Sequence, residues 1–174
     1  MQKHLVIAIL ILGLVLCGIL VLICLAPGVD NAAGIAHPQY ESMRAGGDGL
    51  ARIEPIKALA FAFQVVVLAQ FACFIALGVS EQRRDPTFYG LMAACYVITV
   101  VVWWQLFARH QAFLASAETS YFLGFPTATA WVVYGIYLAG VTFIGIYVFG
   151  FKRYIWSDED QQKFDQLLAE NQNN

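Results

Sequence analysis

The sequence predicts an all-α fold, an integral membrane four-helix bundle with both termini cytoplasmic, and three observations predict it. Of 174 residues, 60% are hydrophobic and only 13% charged, against about 45–50% apolar and about 25% charged in soluble domains. Four uninterrupted apolar runs each approach the roughly 20 residues that a helix needs to cross a hydrocarbon core of about 30 Å. The shortest connection between them carries adjacent arginines, Arg83 and Arg84.

The first run, residues 5–26, follows Lys3. It is longer than the roughly 7–15 residues of a signal-peptide apolar core, so it is expected to be retained as a span. Runs 58–79, 88–108 and 127–150 follow, and none of the three contains Asp, Glu, Lys, Arg or His. Pro55, Pro86 and Pro126 stand at or just before helix starts, where a missing N–H costs nothing and φ is already helical. Asp85 is placed to cap the third helix. These spans make residues 1–154 one transmembrane domain.

The connections are unequal. Residues 27–57 form a long loop whose Ala-Gly-Gly-Asp-Gly stretch reads as flexible. Residues 80–87 form a short one that makes the second and third helices an antiparallel hairpin, and residues 109–126 a third connection. Arginines in a short loop place that loop in the cytoplasm. An even number of spans then puts both ends there, with Lys3, Lys152 and Arg153 flanking their helices on that side. The remaining residues, 155–174, read as a polar cytoplasmic tail. In it Ser157 and Asp160 have capping-box spacing, and Phe164, Leu167 and Leu168 recur as one apolar face of a short amphipathic helix.

Composition narrows function. A net charge of −2 supplies no basic field for nucleic acid. Cys17, Cys24, Cys73 and Cys95 all lie in apolar runs with no CxxC pair and read as packing residues. His4 and His110 fall at opposite ends of the spans, so they cannot sandwich one haem, and His37 with His110 lacks a third metal ligand. No phosphate-binding loop, nucleophile elbow or zinc-type His/Glu pair occurs, so no catalytic residue, metal or cofactor is expected of this chain alone. Bound lipid is expected.

The polar groups within the runs are Gln64 and Gln70, Thr99 and Gln105, Thr129 and Thr142, side chains that join membrane helices by hydrogen bonds. Gly13 with Cys17 and Gly135 with Ala139 stand four apart, the spacing that lets helix backbones approach. Trp103, Trp104, Tyr121, Phe122 and Phe125 near one set of helix ends, and Tyr147, Tyr154 and Trp156 near the other, form interfacial belts.

The segment YFLGFPTATAWVVYGIYLAGVTFIGIYVFGFKRY, residues 121–154, resembles the closing helix of the small membrane subunits encoded beside bacterial sodium/solute symporters. Gly124, Phe125 and Pro126 match the turn, Trp131 the aromatic position, and Lys152 with Arg153 the basic end. The four spans and long first loop depart from that family's short helix pair. The absence of charge within the last three runs and the small-residue contact faces point to a non-catalytic accessory or structural subunit in a bacterial inner (plasma) membrane, bound to lipid and to a larger integral membrane protein, which the resemblance implies is a sodium/solute symporter. The expected contact residues are Gly13, Cys17, Gln64, Gln70, Gly135 and Ala139, with the Gly124–Pro126 turn and Trp131. The alternative is a small subunit of a respiratory or other membrane redox enzyme, with Gln105 and the aromatic residues flanking a quinone or lipid site.

Overall fold

A computed structural model describes residues 2–30 and 33–172. Met1, Asn31 and Ala32 of the long loop, and residues 173–174 of the tail lie outside the described residues. Among the described residues the chain is all-α apart from two short hairpins. Four stretches are long and apolar enough to cross a membrane, Lys3–Cys24, Gly49–Leu77, Pro86–Ser116 and Thr127–Phe149, the architecture of a multi-pass membrane protein.

Helix α1 (Gln2–Cys24) stops short of residue 26. Pro27 disfavours helical backbone at the residue before it, and the last turn tightens, with Ala26 N donating to Ile23 O at 3.2 Å. The long loop then carries structure of its own. Strand β1 (Ile35–Ala36) pairs antiparallel with β2 (Arg44–Ala45), Ile35 opposite Ala45. Gly34, at φ +68°, precedes β1, and a Cβ there would lie 2.6 Å from the Ala45 carbonyl oxygen. Helix α2 (Gly49–Ile53) is capped by the Asp48 carboxylate, which accepts from Ala51 N at 2.9 Å. Pro55 lies in a single 3₁₀ turn, Glu54–Ile56, that feeds directly into α3 (Lys57–Leu77).

Helix α4 (Pro86–Ser116) begins as its sequence dictates, with Pro86 in the first turn and the Asp85 carboxylate accepting from Phe88 N at 2.7 Å. It runs well past residue 108. Polarity ends the apolar run at Arg109, but Gln111, Ala112, Leu114 and Ala115 are good helix formers. The helix stops at Ala117, left-handed at φ 57°, whose N–H bonds Phe113 O at 2.8 Å. A hairpin of β3 (Tyr121–Phe122) and β4 (Phe125–Pro126) then leads into the fourth span. That span comprises α5 (Thr127–Ala130), a π-helical turn at Trp131–Ile136, and α6 (Tyr137–Phe149). A second π turn, Phe151–Ile155, precedes α7 (Asp158–Gln172). At the start of α7, Ser157 N donates to the Asp160 carboxylate at 2.9 Å while Asp160 N donates to Ser157 Oγ at 3.3 Å, a closed capping box.

The chain forms two compact units, residues 9–70 and residues 1–8 with 71–174. Within 9–70 every described residue is exposed or half-buried. The second unit has a core in which Phe88 and Val79 are fully buried among Ala76, Met92, Cys95, Ile146 and Tyr154. The Phe88 and Tyr154 rings meet at 5.1 Å, tying the start of α4 to the π turn that follows the fourth span. Tyr147 OH donates to Ile75 O at 2.8 Å and ties α6 to the end of α3.

The α3–α4 loop is held by ions. Arg83 donates to Ile155 O at 2.6 Å and to Ser157 Oγ at 3.2 Å, and it pairs with Asp160. Arg153 pairs with Asp85, and Lys152 with Asp158. Arg84 turns inward instead. Its Nε donates to Val79 O at 2.7 Å and its Nη2 to Leu77 O at 3.2 Å, which satisfies carbonyls that the end of α3 leaves free.

Candidate functional site

A groove of about 460 Å³ opens beneath the β3–β4 hairpin, between the end of α4 and the start of the fourth span. Its roof follows from backbone geometry. Leu123 (φ 47°) and Gly124 (φ 84°) occupy the two tip positions, both left-handed, as a type I′ turn requires. Gly124 adopts this conformation freely, whereas Leu123 does so against its Cβ. Tyr134 holds the tip down: its OH donates to Leu123 O at 3.3 Å, and its ring meets Phe122 and Phe125 edge-on at 6.1 and 6.0 Å.

The floor is the π turn. Gly135 lets α4 approach there, since a Cβ would come within 2.8 Å of Val102 Cγ1 and 2.9 Å of Trp131 Cε3. Ala139, one turn on, is buried at 1% exposure. A π turn widens the helix locally and is common at functional sites. At the mouth stand Arg109 and the Ser120 and Thr127 hydroxyls, which bond one another at 2.6 Å. Arg109 is exposed and forms no ion pair among the described residues.

The sequence-predicted residues thus separate into two groups. Gly124, Phe125, Pro126, Trp131, Gly135 and Ala139 belong to the hairpin and to the helix that it leads into. Gly13, Cys17, Gln64 and Gln70 lie in the other unit. There Gly13 faces the Gln70 amide, with Nε2 4.0 Å from where a Cβ would stand. Among the described residues Gln70 Oε1 is buried with no hydrogen-bond partner and Gln64 is half-buried with no side-chain hydrogen bond, while Cys17 is exposed.

Two polar residues expected to join helices do otherwise. Thr99 Oγ1 donates to Cys95 O at 2.8 Å and Thr142 Oγ1 to Ala139 O at 2.6 Å, each within its own helix, because a hydroxyl on Cβ reaches the preceding turn's carbonyl most easily. Thr129 is exposed. Gln105 does not line the groove. Arg109 and the paired Ser120 and Thr127 hydroxyls were not among the sequence-predicted site residues. The available signal was an arginine closing an apolar run, ahead of an aromatic Gly-Phe-Pro turn.

At the other end, a groove of about 490 Å³ under α7 is lined by Arg83, Trp156, Lys163 and Phe164. Its charges are internally paired. Arg83 beside it, with the Ser157 N–H and hydroxyl, holds the Asp160 carboxyl down to about 2. The Phe88 N–H foremost, then Arg153, lowers Asp85, and Lys163 lowers Glu159. Among the described residues no group of three or more His, Cys, Asp or Glu side chains could hold a metal ion. The chain matches no protein-family model, no curated protein and no solved structure.

Proposed function

We propose that this chain is a non-catalytic accessory subunit of a larger membrane complex, seated in a bacterial inner membrane with both termini cytoplasmic, and that a sodium/solute symporter is its partner. One observation carries the reading. Gln64 sits near the middle of α3 with a half-buried amide that has no hydrogen bond among the described residues. A polar amide in hydrocarbon without a partner is costly, and a facing transmembrane helix is the usual source of one. The surrounding surface suits such a neighbour, because α1 buries none of its described residues and exposes Leu10, Leu14, Val21 and Leu22.

A mild-detergent pull-down on the tail, followed by mass spectrometry, tests this. The expected result is a stoichiometric larger membrane protein, with Gln64→Leu lowering its recovery about threefold or more, as loss of one interhelical hydrogen bond would. Recovery of the chain alone as a stable monomer would remove the reading.

The aromatic groove beneath the hairpin supports a second reading, a small subunit of a membrane redox enzyme contributing to a quinone or lipid site. An optical spectrum of the purified assembly separates the two. Haem or flavin absorbance favours the redox enzyme.

A further inference from the structure

The groove beneath the β3–β4 hairpin is polar at its mouth and apolar at depth. The mouth holds the Arg109 guanidinium, without an ion pair among the described residues, next to the Ser120 and Thr127 hydroxyls. Below it, Thr127, Trp131, Tyr134 and Leu138 line the groove in turn along the fourth span and through its π turn. Leu138 stands exposed at its deep end.

We infer that the groove holds one phospholipid of the surrounding bilayer, its phosphate against Arg109 and an acyl chain along Trp131, Tyr134 and Leu138. Charge complementarity selects this occupant. A guanidinium presents a planar fork of donors that matches phosphate oxygens, and among the described residues no carboxylate pairs with this one. Free phosphate would leave the apolar depth unused, and an uncharged quinone would leave the cation without a counter-charge. The mouth also lies where α4 loses its apolar character, at the level where aromatic and basic side chains meet lipid headgroups. The inference requires that the chain spans a bilayer but is independent of any protein partner.

The test uses the full chain in bilayer nanodiscs of phosphatidylglycerol and phosphatidylcholine, released into mild detergent, freed of partners and weighed by native mass spectrometry. Wild type is expected to retain one phospholipid. Arg109→Gln is expected to lower retention about tenfold, the loss of a charge-assisted contact. Leu138→Trp, which fills only the deep end at an exposed position, is expected to lower it as well, with helical content unchanged by circular dichroism. Retention equal to that of wild type in both variants would overturn the proposal. So would displacement of the lipid by inorganic phosphate with retention insensitive to Leu138→Trp, the signature of a free-anion site. A failed pull-down leaves this result unaffected, and the reverse holds too.

Discussion

Arg83 and Arg84 are neighbours in sequence, but their chemistry diverges. Arg83 reaches across to the tail, where Ile155 O, Ser157 Oγ and Asp160 receive its donors. Arg84 is only 6% exposed and gives one donor to Leu77 O, the last carbonyl of α3, and one to Val79 O two residues on, with its Nη1 buried and unpaired among the described residues. The negative end of the helix dipole offsets part of the charge's desolvation. A lysine cannot reproduce the fork. Arg84→Lys is therefore expected to destabilise the chain by about 1–3 kcal/mol, the cost of leaving a buried acceptor unsatisfied, read as a lower Tm in detergent. An unchanged Tm would show that the fork contributes nothing to stability.

At the scale of elements, α4 and the fourth span make their closest glycine-mediated approach at Gly135. Gly135→Ala would drive its Cβ into Val102 Cγ1, which lies 2.8 Å from that position, and Val102 is buried. Overpacking of this kind costs about 1–3 kcal/mol. Removing the obstructing methyl with Val102→Ala in the same chain is expected to recover part of that loss, giving a non-additive double mutant. Recovery is partial because the Trp131 ring, 2.9 Å away, also has to move. Thermal melts of both single variants and the double variant decide it; strict additivity would mean that the two residues do not meet.

At the scale of the molecule, α7 is fastened to the α3–α4 loop by Arg83–Asp160, an ion pair that titrates. Asp160 has a folded value of about 2, below its ordinary 3.8. A carboxyl with a depressed value contributes stability above its unfolded pKa and loses it as pH falls through the folded one. The fastening is thus complete at neutral pH and released as pH drops from about 3.8 through about 2. Asp85, also lowered, loosens the pairing of the loop with Arg153 in the same direction. A spin label at Leu168 is expected to become mobile over that window, and at neutral pH in Asp160→Asn. A label equally immobile in that variant at neutral pH would show that other contacts hold the tail.

The apolar runs, Pro86 and Asp85 at the start of α4, and the Ser157–Asp160 box were legible because each rests on neighbours a few residues apart along the chain. The hairpin was not, since its Leu123 tip takes a left-handed conformation that nothing in a leucine announces and that Tyr134, eleven residues on, holds in place. The full length of α4 was hidden for a related reason: hydropathy marks where apolar character ends, while the helix continues on backbone propensity to Ala117. By itself the sequence determined that there are four membrane-length helices and where most of them begin, because hydrophobic length and helix caps are local properties. Only the tertiary structure decided that Arg84 caps α3 while Arg83 binds the tail, that Gly135 meets Val102, and that Arg109 and Tyr134 share a groove. Those pairings depend on side chains distant in sequence being brought within a few ångströms, and spacing along one chain does not encode that.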